Sequence, residues 1–110
     1  MILLVTSRPK QLLNNILEIV RRQKPEAWEV TEEGMLVLVD WPTRHLRMVL
    51  LPVESVEDEV LMLLAYQSSP TVPHAELMKD QVRFVSFLTT CFETEIATAK
   101  VVDKWAETWE

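Results

Sequence analysis

The sequence predicts a single small α+β domain, with a four-stranded mixed or antiparallel sheet in the order β-α-β-β-β-α and further C-terminal helices packed on that sheet. Two observations carry this prediction. Short apolar runs with β-branched residues lie between turn residues, and longer segments place apolar residues at helical spacing. A chain of 110 residues with 48% hydrophobic and 25% charged residues is of ordinary globular composition and has room for one core. We therefore expect residues 1–110 to form one domain.

The first two predicted elements are a strand and a helix. Residues 1–5 form a continuous apolar run, which is typical of a strand covered on both faces. Ser7 is expected to cap the following helix, with Pro9 in its first turn, and Pro25 ends the helix. The apolar residues at helical spacing are Leu12, Leu13, Ile16, Ile19 and Val20.

Three consecutive antiparallel strands are predicted next, over residues 28–31, 35–39 and 44–51. Gly34 can supply the left-handed residue of the first hairpin, and Pro42 marks the next corner because it cannot donate a ladder hydrogen bond. Gly34 is also the only glycine in the chain. Phosphate-binding loops, dinucleotide fingerprints and nucleophile elbows need several glycines, so nucleotide chemistry by those routes is excluded.

Residues 53–66, with the sequence VESVEDEVLMLLAY, combine four carboxylates with seven consecutive apolar residues. Ser55 precedes a carboxylate by three positions, so a helix is predicted to begin here and to continue through the apolar run. The helix dipole favours negative charge in this first turn. One capping carboxylate would suffice for a helix start, and the surplus therefore indicates an acidic binding surface. The four carboxylates are Glu54, Glu57, Asp58 and Glu59.

The last third of the chain is predicted to be mainly helical. Residues 74–92 fit a helix, although residues 82–92 are rich in β-branched and aromatic side chains and leave a strand open as an alternative. Residues 94–109 fit a second helix, with Trp105 and Trp109 in its final turns. These tryptophans either dock that helix on its own domain or mark a contact with a partner or a second copy, because tryptophan dominates interface hot spots.

Charge is unevenly distributed along the chain. Residues 1–53 carry seven basic and six acidic residues, a net of +1, whereas residues 54–110 carry four basic and eleven acidic residues, a net of −7. An acidic half disfavours nucleic-acid binding, which depends on neutralising phosphates, and it favours encounter with a basic protein surface. The expected partner is therefore a protein with a basic surface.

Candidate catalytic and metal-binding residues do not form a recognisable motif. His45, His74 and Cys91 lack the spacing of a zinc site, and the single cysteine is expected to be a small buried hydrophobic residue. Asp40 and Glu54 follow strands, as in metal-dependent nucleases, but the strand between them offers no lysine. No cofactor and no metal are expected.

These observations predict a non-catalytic protein-binding module, such as a small acidic inhibitor of the immunity-protein or antitoxin type, or an adaptor. One alternative is a self-assembling structural or chaperone-like subunit, for which a homodimer is possible; a small metal-dependent hydrolase or nuclease is a third. One cysteine and no long apolar run predict a cytoplasmic protein without membrane contact. The predicted partner-binding residues are Glu54, Glu57, Asp58, Glu59, Trp105 and Trp109.

Overall fold

The structure is a computed structural model that describes residues 1–40, 43, 45–53, 59–68 and 72–105, except for the side chain of Glu26. Within these residues the chain forms six strands and two helices. In chain order the elements are β1 (Ile2–Val5), α1 (Pro9–Gln23), a 3-10 turn (Pro25–Ala27), β2 (Trp28–Val30), β3 (Leu36–Val39), β4 (Leu46–Val53), β5 (Val60–Gln67), α2 (His74–Cys91) and β6 (Thr98–Val101).

The six strands form one sheet in the order β2-β3-β4-β5-β1-β6, and every neighbouring pair is antiparallel. Strands β2 to β5 follow one another as a meander. The first strand, β1, lies between β5 and β6, with Ile2 opposite Leu63 on one side and Val101 on the other. The predicted α+β class is confirmed, whereas the predicted four-stranded sheet is wrong because two further segments join it.

The helix predicted to begin at Ser55 is wrong, because Val60–Gln67 is strand β5. A seven-residue apolar run fits a buried strand as well as a helix, and its spacing alone does not separate the two. Pairing decides the outcome here: β5 lies between β4 and β1, so ladders on both sides satisfy its backbone amides and carbonyls. The capping pattern itself falls on residues 54–58, which lie outside the described residues.

The helix predicted over residues 94–109 is also wrong. The chain turns after α2 and enters strand β6, Thr98–Val101, which pairs with β1. Without β6, the outer edge of β1 would expose unpaired backbone groups, so strand pairing outweighs the weak helical spacing of this segment. The alternative strand within residues 82–92 is excluded, since α2 is helical throughout His74–Cys91.

Helix α1 lies where the sequence predicts it, but its N-cap residue differs from the prediction. Its N-cap is Arg8, without a side-chain cap, and the predicted cap at Ser7 is wrong. The hydroxyl of Thr6 accepts a hydrogen bond of 3.4 Å from the amide of Arg8 instead. At the other end, Lys24 adopts a left-handed φ of 45° and its amide donates to the carbonyl of Val20, a conformation in which glycine is usually found.

The predicted hairpin at Gly34 is confirmed. Gly34 has a φ of +85°, and its amide donates to the carbonyl of Thr31 at 3.0 Å. The amide of Thr31 in turn donates to the carbonyl of Met35 at 2.9 Å, which closes the turn between β2 and β3. A residue without a side chain therefore lies where the backbone needs a positive φ.

Both helices pack on the same face of the sheet, which we call the covered face. Trp28 of β2 stacks on Phe84 of α2 with ring centroids 4.4 Å apart, and both side chains are fully buried. The strands contribute Ile2, Leu4, Leu36, Leu38, Met48, Leu50, Leu61, Leu63 and Ala65 to this core, and the helices contribute Leu12, Ile16, Leu17, Val20, Leu77, Phe84 and Leu88. The core is thus a two-layer packing of helices on sheet.

Candidate binding surfaces

The second face of the sheet is also apolar, and neither described helix packs on it. Side chains alternate between faces along a strand, so the neighbours of the core residues point to this side. None of them belongs to the core cluster around the helices. We call this surface the open face and define it by Leu3, Val5, Val37, Val39, Leu46, Val49, Leu51, Val53, Val60, Met62, Leu64 and Tyr66.

The strand register makes the open face continuous. Val37 lies opposite Val49, which lies opposite Tyr66, and these three side chains form one row across β3, β4 and β5. A second row runs from Val53 through Met62 to Leu3. Residues directly opposite one another are close enough for their side chains to touch, which makes each row continuous. Diagonal neighbours lie within reach of long side chains, so adjacent rows form a single patch.

Side chains of the open face are mostly half-buried, although two lie deeper and two are exposed. Val49 is 2% exposed and Val39 is 7% exposed, whereas Val5 is 36% exposed and Leu46 is 39% exposed. Exposure therefore varies locally over the face, since Val39 and Leu46 are paired across β3 and β4 and yet one is enclosed and the other is open to solvent. Among the described residues, the face carries charge at Glu29 on β2 and Lys100 on β6, at opposite edges of the sheet.

A β-bulge in β4 turns one charged side chain away from the open face. Leu38 pairs with Met48 but Val39 pairs with Leu46, so Arg47 is the extra residue between them. A bulge of this kind re-aims a side chain. Arg47 consequently reaches α2 on the covered side, and the open face keeps its apolar surface.

The bulge residue forms an ion cluster with three carboxylates. Its guanidinium nitrogens lie 3.0 Å from Oδ1 of Asp40 and 3.0 Å from Oδ2 of Asp80, and 3.8 Å from Oε2 of Glu76. Burial opposes the positive charge, but the hydrogen bonds to Asp40 and Asp80 outweigh this cost and raise the pKa of Arg47 above its ordinary value. Asp40, a candidate for nuclease chemistry, is thus paired with Arg47, and Arg47 in turn connects the end of β3 to α2.

Trp105 packs on its own domain. Its ring stacks on His74 with centroids 4.7 Å apart and an interplanar angle of 15°, and its indole Nε1 donates to Asp103 at 2.8 Å. The ring contacts the core cluster, and its backbone bridges to Ala65 of β5. His74 is held in turn by a short hydrogen bond to the side chain of Gln67. These contacts are those expected if Trp105 docks the end of the described chain.

The other predicted binding residues are only partly described. Glu59 is exposed, and its carbonyl accepts a hydrogen bond of 2.9 Å from the amide of Thr6. Glu59 and Trp105 lie near opposite ends of β5, roughly 20 Å apart at about 3.4 Å per residue, so the structure does not bring them together. Glu54, Glu57, Asp58 and Trp109 lie outside the described residues.

Cys91 is exposed at the end of α2, so the expectation of a buried cysteine is wrong. The reason is its place in the last turn of the helix, where the neighbouring Leu88 and Phe92 fill the core side instead. Among the described residues, no group of three histidine, cysteine, aspartate or glutamate side chains is placed to hold a metal ion.

A polar cleft of about 330 Å³ lies beside the start of α1. Arg8 and Glu95 line it together with polar side chains, so both signs of charge are present. The cleft therefore has no net electrostatic preference for an anion or a cation. Its other lining residues are Thr6, Ser7, Gln11, Leu12, Asn15 and Thr94.

The amino group of Met1 is held inside the covered side of the domain. It donates to Oε1 of Gln81 at 2.9 Å and to the carbonyls of Val102 and Lys104 at 3.0 and 3.2 Å. Burial lowers the pKa of this amine from 8.0 to about 6, against the opposing effect of the carboxylate of Asp103. Gln81, which is fully buried, thereby has a partner.

Sequence reasoning missed the open face as a surface. The feature that points to it is the absence of apolar and polar alternation: β1, β3 and β5 are apolar on both sides, as strands covered on both faces are. Comparison with family models, with curated proteins and with solved structures finds no match to this chain. Neither described helix has the length and apolar character of a membrane span.

Proposed function

We propose that this protein is a non-catalytic protein-binding module and that the open face is its main binding surface. The observation that carries the proposal is a continuous apolar patch of about a dozen side chains on which neither described helix packs. Apolar patches of this extent on small proteins are typical of interaction sites.

The shape of the surface supports a protein rather than a small molecule as the ligand. Small-molecule sites are concave, whereas a sheet face is broad and only gently twisted. The bulge at Arg47 adds to this argument, because it moves a guanidinium to the covered side and leaves apolar neighbours such as Leu46 and Val49 on the open face. Binding there would be driven by burial of apolar surface.

A second binding surface is favoured by the acidic residues near the start of β5. Glu59, Glu93 and Glu95 are exposed among the described residues, and Glu59 bonds to Thr6, which lines the same cleft as Glu95. A partner with a basic surface, as an inhibitor or adaptor of the predicted type would have, could be steered to this end of the sheet. Arg8 in the same cleft weakens the local negative field, so we rank this surface below the open face.

Affinity capture with three forms of the chain tests the main proposal. Leu51→Lys places a charge in the open face, and Val82→Lys is the matched control, because Val82 is 51% exposed on the outer side of α2. We expect the wild type and V82K to retain the same proteins and L51K to lose them. Retention that L51K leaves unchanged, or retention of no protein by a monomeric wild type, would contradict the proposal.

A salt titration with Glu59→Lys tests the acidic surface. Steering by opposite charges predicts that association with a captured partner slows as salt rises, and that E59K slows it further at low salt. An acidic partner, or an association rate that does not change with salt, would rule out the basic-partner hypothesis.

A further inference from the structure

We infer that the outer edge of β6 is a docking site for an extended segment of a partner protein, in which apolar and acidic residues alternate and which adds to the sheet as one further strand. We call this edge the β6 edge and define it by Thr98, Ala99, Lys100 and Val101. The inference goes beyond the proposed function, because it concerns the backbone at the side of the sheet and not the open face. Addition of a strand to a sheet edge is a recurrent mode of peptide recognition.

The register of β6 on β1 shows which backbone groups face outward. The amide of Val102 donates to the carbonyl of Met1 at 2.8 Å. Bonded and non-bonded pairs alternate along an antiparallel ladder, so the backbone of Lys100 bonds to β1, whereas the backbones of Ala99 and Val101 do not. The amides and carbonyls of Ala99 and Val101 therefore point away from the sheet.

The other side of β1 gives the same assignment. The amide of Thr6 donates at 2.9 Å to the residue just before β5, so Leu4 and Ile2, two and four positions earlier, bond to β5 in the same way. Leu4 and Ile2 lie opposite Ala99 and Val101. Because the backbone groups of Leu4 and Ile2 are directed to β5, they do not bond to β6.

No other described segment pairs with the β6 edge. Within the described part of the chain, β6 lies at the end of the strand order and pairs with β1 alone. The backbone hydrogen bonds of the described turns and loops include neither Ala99 nor Val101, and the side chains of Thr98 and Lys100 are exposed. The chain then leaves this edge, since Trp105 bridges to β5. An added strand therefore meets two amides and two carbonyls that no described backbone group occupies.

The opposite edge of the sheet, at β2, is less accessible. Strand β2 has three residues, and the amide of Trp28 donates to the carbonyl of Pro25 in the preceding 3-10 turn. The side chain of Trp28 is also 1% exposed, so it lies inside the core. Docking of a strand is therefore favoured at β6.

The side chains of the β6 edge select the composition of the added strand. Ala99 and Val101 are half-buried against the core, so apolar side chains at alternate positions of the added strand extend this packing. Lys100 is exposed on the other side of the sheet, where an opposing carboxylate gives a favourable cross-strand pair. A lysine on an edge strand also disfavours pairing with a second copy, because both copies then place a positive charge on the same face. The composition of the expected ligand follows from these two preferences.

Amide hydrogen exchange of the free 110-residue chain, measured by NMR, tests the state of the edge. We expect slow exchange at Lys100 and Val102, whose amides bond to β1, and exchange at least about tenfold faster at Ala99 and Val101, whose amides face outward. Equal protection at all four amides would show that the edge is already covered, by another part of the chain or by a second copy, and would overturn the inference.

A capped peptide of alternating valine and glutamate is the probe for binding, and a valine and lysine peptide of the same length is its control. At millimolar concentration, we expect the glutamate peptide to shift the amide resonances of Ala99 and Val101 in a saturable way and to slow their exchange. The lysine peptide should bind about threefold to tenfold more weakly, because it sets like charges opposite Lys100. A titration without a saturable shift at these two amides would overturn the inference.

Two variants locate the binding at the β6 edge. Ala99→Pro removes an amide that the ladder with β1 does not use, so binding of the glutamate peptide should fall at least about tenfold while Lys100 and Val102 stay protected. Lys100→Glu should reverse the preference between the two peptides. Lys24→Glu makes the same charge change next to the opposite edge of the sheet and should leave the preference unchanged.

A folded A99P that binds the glutamate peptide as the wild type does, or a preference that K100E does not alter, would overturn the inference. Leu51→Lys, on the open face, should leave peptide binding unchanged. This inference and the proposed function therefore fail separately, because the peptide titration reports on the β6 edge and affinity capture with L51K reports on the open face.

Discussion

The two faces of the sheet have almost the same apolar composition and yet different surroundings. Leu63 and Leu64 are neighbours in β5: Leu63 is fully buried beneath the helices, whereas Leu64 is half-buried on the open face. The local sequence does not distinguish them. The difference shows that, among the described residues, the sheet has more apolar surface than the two helices cover, and this excess motivates the proposed binding role.

Truncation of these two leucines should give the largest contrast. Leu63→Ala leaves a cavity in the core and is expected to lower the free energy of unfolding by about 2–5 kcal/mol. Leu64→Ala removes a half-buried side chain and should cost only about 1 kcal/mol at high dilution. Urea denaturation measures the free energy of unfolding of both variants. Equal costs at high dilution would contradict the assignment of the two faces.

The ion cluster at the rim of the covered face should give the next largest effect. Arg47 and Asp80 are 21% and 16% exposed, so their hydrogen bonds are partly shielded from water. Asp80→Asn weakens the pairing with Arg47 and is expected to lower the free energy of unfolding by about 1–2 kcal/mol.

Arg83→Gln is the matched control for this prediction. Arg83 lies 3.9 Å from the same carboxylate but is 63% exposed, so its loss should change stability by less than about 0.5 kcal/mol. If R83Q is as destabilising as D80N, the cluster does not tie the bulge to α2.

The buried amine of Met1 predicts a pH dependence specific to the covered side. Its pKa is about 6 in the folded chain against 8.0 in the unfolded chain, so the unfolded state binds more protons between these values. The contribution of this amine to stability therefore increases as pH rises from about 6 to 8 and is constant on either side. Thermal unfolding of the 110-residue chain and of its N-acetylated form, compared at each pH, isolates the effect; parallel curves would show that the amine does not titrate in this window.

The smallest predicted effect is at the end of α1. Lys24 is exposed and adopts a left-handed φ of 45°, so Lys24→Gly should stabilise the fold by about 0.5–1 kcal/mol by removing the steric cost of the β-carbon. Lys24→Ala removes the long side chain but keeps the β-carbon, and should give no such gain. Denaturant midpoints distinguish the two variants, and an equal gain for K24A would locate the effect in the charge instead.

The elements that were predicted from the sequence are those specified by local features. Pro9 and Pro25 bound α1, and Gly34 sets the hairpin, because each acts through its own backbone geometry. The strands β5 and β6 could not be assigned this way. Residues 60–66 have no periodicity that separates a helix from a strand, and Thr98–Val101 is a strand because β1 lies beside it.

The candidate surfaces follow the same division between local and non-local features. The four carboxylates within residues 54–59 are conspicuous in the sequence, although Glu59 is the only one of them that the structure describes. The open face is composed of alternate residues from several strands and can be recognised only when the register is known. For Trp105 the sequence allows either docking or partner binding. Its stacking on His74 shows the intramolecular contact, and a role in partner binding stays a prediction.

The position of β1 has a consequence for folding during synthesis on the ribosome. Ile2 pairs with residues 61 and 99 positions later, Leu63 and Val101, whereas β2, β3 and β4 each pair with the strand that follows directly. The meander can form early. Strand β1 leaves the ribosome first, but it cannot complete its pairing until β5 and β6 have been synthesised. Completing the sheet is thus the step with the greatest loop-closure entropy, and it should set the folding rate.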